Sequence, residues 1–381
     1  MQVEEEFGST GIRYTSYQPT REEINLLKKS WQTFVDRDIP KYPGTFNGRG
    51  IVTCGGGMRY FTCAWVSINI LRKKGCELPI ELWYFDGEIN SEIIEKLGYL
   101  NVVCKNVKNY STDSLTDSLT GYALKPYAIL NSSFKDVLFL DADNVCVRDP
   151  SYLFDSAEFE ETGAIFWPDF WKTDINNPVW EIVDSSDFDE YEQESGQVLV
   201  NKEKSWNSLH LTLYFNLQRQ QYYKFLLGDK DTFKFSWKAL RKKYFMVQRE
   251  VGYCGYSGVE NQLYSSGVAM VQHDHRGFIL FIHTNMAKWD IVKCGEYLWK
   301  KTKYFKTSAK IKKFIKRNVK LVNGSDGVVF DIDGDVLIEN SDCDVQMTEI
   351  SCHQVLEELR QSDFYLRFIL DAYMSRMRRE V

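Results

Sequence analysis

The amino-acid sequence predicts an α/β chain built on a mostly parallel sheet. Three observations carry this. From Gly50 onward, short apolar runs alternate with stretches of helical periodicity, the rhythm of strand–helix–strand units. Gly55-Gly-Gly57 follows the first run and opens a helix. The run Val137-Leu-Phe-Leu140 ends in Asp141-Ala-Asp143, two carboxylates two positions apart and so on one face of an extended chain. That is the C-terminal strand edge where open α/β sheets bind ligands.

Residues 1–47 read as an N-terminal extension and linker. A helical pattern covers Arg21–Val35, and Pro40, Pro43, Gly44 and Gly48 mark the linker. Gly50–Cys54 is the first strand. Met58–Lys74 is a helix with an apolar stripe of Phe61, Trp65, Ile68 and Leu71, stopped by Gly75. Leu78–Phe85 is the second strand, followed by a short helix to Leu97 capped by Asn90 or Ser91. Asn101–Cys104 is the third strand, Pro126–Leu130 a helix, and Val137–Asp143 the fourth strand. Beyond Asp149-Pro150 the rhythm breaks. Gly163–Trp167, Gly196–Val200, Gly267–Gln272 and Phe278–His283 read as strands, and Trp206–Leu227 as an aromatic-rich helix. Residues 303–320 carry seven Lys and one Arg and read as a solvated helix face. Gly327–Ile338 reads as a hairpin, and Leu356–Arg379 as a closing amphipathic helix.

Composition bounds the function classes. With 381 residues, 44% hydrophobic, the chain has material for a large core. A net charge of -6 argues against a dedicated nucleic-acid binder. No apolar run approaches the ~18 residues a membrane span needs, and the acidic start Met1–Phe7 is not a secretory signal. The expectation is a soluble, cytoplasmic protein as given, or a Golgi-lumenal one if an N-terminal anchor lies outside this sequence. Nine cysteines, an odd number at scattered spacing without a C-x-x-C pair, argue against a zinc site or a dense disulfide framework; a Cys343–Cys352 pair is left open by the sequence. Sequons begin at Asn109, Asn131 and Asn323.

Asp141 and Asp143 offer hard oxygen ligands, which suit Mg²⁺ or Mn²⁺ and, through the ion, a substrate phosphate. Asp-Ala-Asp-Asn is also good turn chemistry, so the motif needs support. The glycine turn allows backbone N–H groups to approach a phosphate. Lys125 precedes the helix leading into the D-x-D strand and is suited to a diphosphate. Asp169 lies among three aromatic rings in Trp167-Pro-Asp-Phe-Trp171, a pattern suited to sugars. Glu194-Ser-Gly-Gln197 reads as a tight turn entering a strand. His283 and Lys288 follow the last strand, where they can complete a metal site and meet a phosphate.

The segments Gly121–Pro150, Tyr152-Leu-Phe154, Thr162–Trp171 and Glu192–Asn201 stand in an order that resembles the fungal-type α-mannosyltransferases of glycosyltransferase family 71. The similarity runs over residues 48 to about 290. The resemblance implies a GT-A fold, a Rossmann-like mixed sheet flanked by helices with the D-x-D metal site at the strand C-terminal edge. Residues 48–300 become the catalytic domain, and 301–381 a basic helix, hairpin and amphipathic helix packed on it. It implies GDP-mannose as donor, an oligosaccharide or glycoprotein acceptor, and transfer with retention. Asp141 and Asp143 would hold Mn²⁺ (or Mg²⁺). By analogy with retaining glycogenin-like transferases, His283 is the third ligand and Lys288 a phosphate contact. Thr53, Gly55, Gly56, Tyr60, Lys125 and Ala142 complete the donor-binding set. Asp169 and Glu194 are the carboxylates for a covalent route, with front-face attack left open, and Gln197 is a hydrogen-bond partner of the sugar.

Three rivals remain at this point: a UDP-sugar transferase of the same fold, a non-catalytic glycan-binding module, and a phosphohydrolase suggested by Asp331-Ile-Asp-Gly-Asp335. The last reads better as a strand turning in a hairpin, because a calcium loop's final Glu is missing. His273-Asp-His275 reads as a surface turn.

Overall fold

Two β-sheets meet at one seam in the computed structural model of the chain, which describes residues 5–7, 11–119, 121–255, 269–285, 288–289, 299–320 and 326–379. The N-terminal part runs β1 (Glu5–Phe7), β2 (Ile12–Thr15), α1 (Arg21–Arg37), β3 (Arg49–Cys54), α2 (Gly57–Lys73), β4 (Ile80–Tyr84), α3 (Ser91–Gly98), β5 (Val102–Asn106), α4 (Asp113–Ser118), α5 (Leu124–Asn131) and β6 (Asp136–Leu140). After the seam come β7 (Asn144–Cys146), α6 (Ala157–Thr162), β8 (Ala164–Thr173), α7 (Val179–Ile182), β9 (Tyr191–Asn201), α8 (Lys202–Leu217), α9 (Arg219–Tyr222), α10 (Lys230–Ala239) and β10 (Phe245–Met246). The chain closes with β11 (Gly252–Gly255), β12 (Ala269–His273), β13 (Ile279–His283), β14 (Lys301–Phe305), β15 (Lys312–Lys320), β16 (Asp326–Gly334), β17 (Val336–Asn340), α11 (Cys343–Arg360) and α12 (Asp363–Arg379).

The larger sheet has the order β1-β2-β8-β9-β6-β3-β4-β5, with β10 beside β8. Strands β6, β3, β4 and β5 run parallel, and β9 lies antiparallel between β6 and β8. This is the mixed α/β sheet predicted. Its centre is apolar on both faces, as a sheet covered by helices on both sides requires. Leu138 and Leu140 join the core under α2, while Val137 and Phe139 join the core under α5 and α8. Helix α2 ends at Lys73, and Gly75 just beyond it adopts a φ of 86° that a side chain would disfavour. Asn90 caps α3 by accepting from the Ile93 N–H.

The second sheet, β17-β14-β11-β12-β13-β7, is antiparallel throughout. Of the strand predicted over Gly267–Gln272, residues 269–272 fall within the described residues, and the Asn323 sequon lies outside them. The basic helix predicted over 303–320 is a correction: the segment supplies β14 and β15. Lys303 is buried against Asp331 at 3.0 Å, and Phe314 packs on Phe170 and Trp171. Alternating inward residues with acidic partners on the next strand make this a ribbon; charge density alone had suggested a solvated helix. Gly327–Ile338 is likewise no self-contained hairpin, because β16 pairs with β15 while β17 pairs with β14. The Asp335 carboxylate accepts the Lys310 and Ile311 N–H groups, turning the chain between them. Cys343 and Cys352 are both free thiols on α11. No helix among the described residues is long and apolar enough to cross a membrane.

One buried amine sets a pH dependence. Lys202 is fully buried, donating to the Leu130 and Ser132 carbonyls beside the Phe46 ring. Burial pulls its pKa from 10.5 down to about 7. The unfolded chain therefore binds the extra proton between those values, and Lys202's contribution to stability rises with pH across that window. Relative to Lys202→Met, the wild-type unfolding free energy should gain about 2 kcal/mol between about pH 7 and 9. Urea denaturation of both proteins measures it; parallel curves would refute it.

Candidate active site

The D-x-D motif is the seam itself. Strand β6 belongs to the first sheet and β7 to the second, so Asp141-Ala142-Asp143 links the two. The Asp141 N–H donates to the Gly196 carbonyl at 2.8 Å, extending the ladder with β9, and the Asn144 N–H closes a turn on the Asp141 carbonyl. The Asn144 side chain donates to Gly196 and Gln197 on β9. From the other side β13 pairs with β7, setting His283 opposite Asn144, and Thr284 donates twice to the Asp143 backbone carbonyl. The two sheets thus bring His283, Asp141 and Asp143 together.

His283 Nε2 lies 3.3 Å from Asp143 Oδ1 and 3.9 Å from Asp141 Oδ2. On the other side of the ring, Nδ1 lies 3.3 Å from Glu194 Oε1. A Cβ at Gly196 would stand 2.5 Å from Nδ1, so the glycine makes room for the imidazole. Lys125 Nζ reaches Asp141 at 3.1 Å, Asp229 at 3.0 Å, and both oxygens of Ser195 at 2.9 Å. Lys288 caps Asp143, with its ammonium 5.5 Å from the centre of the half-exposed Tyr60 ring.

Burial raises every carboxyl here, and the cations decide the outcome. Burial pushes Asp141 up to about 6 despite Lys125. At Asp143, His283 and Lys288 outweigh burial and hold the carboxyl well below its usual range. His283 likewise draws Glu194 down to about 2. Burial opposes charge on His283, yet Asp143 and Glu194 raise it to about 10. The cluster therefore demands positive charge. One ligand atom each from Asp141, Glu194 and His283 lie within 4.8 Å of one another. Asp143 stands outside that trio but faces His283 Nε2 at 3.3 Å, near the ~3 Å edge of an octahedron with ligands at ~2.1 Å, whereas Asp141 at 3.9 Å is wider. A carboxylate behind Nδ1 that orients Nε2 is the usual support of a metal-binding histidine. Carboxylate oxygens with one imidazole nitrogen are a donor set that a divalent cation can take.

Other predicted residues lie elsewhere than expected. Ser195 and Gly196 do not make a tight turn; the whole segment Glu194–Gln197 is inside β9. Gln197 is fully buried between Asn144 and Gln272, so it braces the seam and does not reach a sugar. Thr53, one residue from the end of β3, is buried and lines a small internal cavity with Ala64, Ser67 and Leu140. The Gly55 and Gly57 N–H groups already donate to Trp83 and Glu88, so they are not aimed at a phosphate. Gly55 sits beside Ala142, a Cβ there standing 3.6 Å from the alanine's, and Gly56 lies against Glu88. Asp169 is within β8 and not at its end; it is paired with Lys230, and burial pushes its carboxyl up to about 6. The chain does turn after Asp274, between β12 and β13, but His273 and Asp274 are buried there and not on the surface. Asp274 accepts the Arg276 and Phe278 N–H groups and the Tyr152 hydroxyl.

Sequence reasoning missed Asp229 and Lys230. These neighbours, at the start of α10, reach opposite ways, Asp229 to Lys125 and Lys230 to Asp169 and Glu192. The one available signal was Gly228-Asp-Lys-Asp231, a polar block inside an aromatic stretch.

A family model described as "Mannosyltransferase putative" matches residues 48–193 and 185–274. The α-1,2-mannosyltransferase MNN24 of Candida albicans is 29% identical over 300 residues, covering 64% of this chain and 42% of its own. The α-1,2-mannosyltransferase MNN5 of Saccharomyces cerevisiae is 29% identical over 298 residues, covering 62% and 50%. The chain spans about half the length of these curated relatives. Among solved structures, the Saccharomyces cerevisiae mannosyltransferase Ktr4p aligns over 57% of this chain and 76% of its own. Its TM-score of 0.33 and identity of 12% are too low to bear on function.

Proposed function

This chain belongs to that mannosyltransferase family, and we propose that its site moves mannose from GDP-mannose to a hydroxyl of an oligosaccharide or glycoprotein glycan, with retention and with a divalent cation. The observation that supports this is the convergence of Asp141, Asp143 and His283 between Lys125 and Lys288 at the sheet edge. Asp141, Asp143 and His283 would hold Mn²⁺ (or Mg²⁺), with Glu194 fixing the imidazole. Such an ion neutralises charge on a leaving diphosphate. Lys125 and Lys288 add fixed positive charge on either side, and held in place by Asp229 and Ser195, Lys125 needs no reorganisation to do so. Both carboxylates that a covalent route would use are engaged, Asp169 by Lys230 and Glu194 by His283 and the Gly196 N–H. That favours front-face attack guided by the leaving group.

A donor-hydrolysis and transfer panel of GDP- and UDP-sugars, with and without Mn²⁺, tests the reading. GDP-mannose should be consumed, and only with the metal. Turnover of a UDP-sugar with GDP-mannose inert would overturn the mannosyl assignment.

A further inference from the structure

The edge of the parallel sheet carries one more carboxylate, Glu88, that neither the metal cluster nor the lysines use. It follows β4, in the turn before α3. The Phe85 N–H donates to Glu88 Oε2 at 2.8 Å, and the Glu88 N–H returns to the Phe85 carbonyl at 3.1 Å, so the carboxylate is held in a fixed pose. It is half-buried, and burial raises its pKa. Among the described residues no Lys, Arg or His forms an ion pair with it.

Its position matters more. Strands β6, β3 and β4 are parallel neighbours, so their C-terminal ends step across the edge in order. Asp141 and Ala142 come from β6, the glycine turn from β3 and Glu88 from β4. The turn touches both neighbours: a Cβ at Gly55 would stand 3.6 Å from the Ala142 Cβ, and one at Gly56 would collide with the Glu88 carboxylate at 2.0 Å. From β6 to β4 is two inter-strand spacings, about 10 Å, the scale of a nucleoside. The turn between them, Gly55-Gly56-Gly57, places no side chain there.

We infer that Glu88 reads the base of the donor nucleotide by accepting from N1–H and the exocyclic amine of guanine. This rests on the donor-site reading above. Guanine offers two adjacent donors to the two carboxylate oxygens, and Oε2 keeps a lone pair beyond its bond to Phe85. Uracil offers a single N–H between two carbonyls, so a second carboxylate oxygen would face a carbonyl. Bidentate pairing of this kind discriminates between bases by about ten- to a hundredfold.

Calorimetric titration with GDP, inosine diphosphate and UDP, in Mn²⁺ buffer, tests this on the wild type and Glu88→Gln. The wild type should bind GDP about tenfold more tightly than inosine diphosphate, which lacks the amine. Glu88→Gln should lose about ten- to a hundredfold for GDP, erase the GDP–inosine contrast and leave UDP unchanged. Melting curves check the variant's fold, and if it fails to fold the wild-type contrast still decides. Equal binding of GDP and inosine diphosphate, or unaltered GDP binding by Glu88→Gln, overturns the inference. Tighter binding of UDP than GDP overturns it while leaving a nucleotide site standing. Binding of no nucleotide overturns the donor-site reading as well.

Discussion

Asp143→Asn should lower sugar transfer by about a thousandfold or more, roughly 4 kcal/mol of barrier, while the protein stays folded. The asymmetry follows from which atoms do what. The fold uses the backbone of Asp143, whose carbonyl accepts from the Thr284 N–H and hydroxyl, and an asparagine keeps both bonds. The chemistry uses its carboxylate, which faces His283 Nε2 at 3.3 Å and holds Lys288. Asparagine keeps the shape and removes the charge, so a cation at this cluster loses its most strongly ionised ligand. Lys288 loses its anchor at the same moment. Initial rates with GDP-mannose across a Mn²⁺ titration, beside a melting curve, separate the two effects. A variant with the wild-type rate and the wild-type Mn²⁺ dependence would remove Asp143 from the site.

How much of this could be read from residue order follows from the range of each interaction. The strand Val137–Leu140 and its two aspartates are local facts: a continuous apolar run and an i, i+2 pair on one face. They were legible, as was α2 with its glycine stop. The seam was not. Strand β7 is three residues long and owes its existence to β13, whose pairing sets His283 opposite Asn144. A glycine between polar residues reads as a turn, yet Gly196 lies inside β9 because His283 needs the space. Charge misled in the same way. The lysines of 303–320 looked solvated because their acidic partners lie on strands that only the fold brings near. Asp229 and Lys230 were missed for that reason too, their partners Lys125, Asp169 and Glu192 being distant in the chain.

Glu192→Ala should cost about 3–5 kcal/mol of stability, because it breaks a fully buried ion pair. Glu192 and Arg13 are both fully buried, with Arg13 Nε at 2.6 Å from one carboxylate oxygen and Lys230 Nζ at 2.6 Å from the other. The Thr173 hydroxyl also donates to the first oxygen. Burial alone would raise this carboxyl's pKa, but the two cations overcome it and hold the group well below its usual range. Truncation leaves Arg13 and Lys230 in the interior, each with one anionic partner fewer, and water cannot replace it. Arg13 lies on β2, Glu192 on β9 and Lys230 on α10, so the cost falls on the contact that joins the sheet's outer strands to the helix carrying Asp229. The comparison that isolates burial is Glu181→Ala. Glu181 pairs with Arg21 at side-chain exposures of 45% and 72%, where an ion pair contributes about 1 kcal/mol or less. Urea unfolding of the two variants should show a clear loss for Glu192→Ala and almost none for Glu181→Ala. Adding Arg13→Met to Glu192→Ala should recover part of the loss, because one of the two buried cations is then removed as well. Equal midpoints for the two single variants would mean that the buried pair does not hold the outer strands to α10.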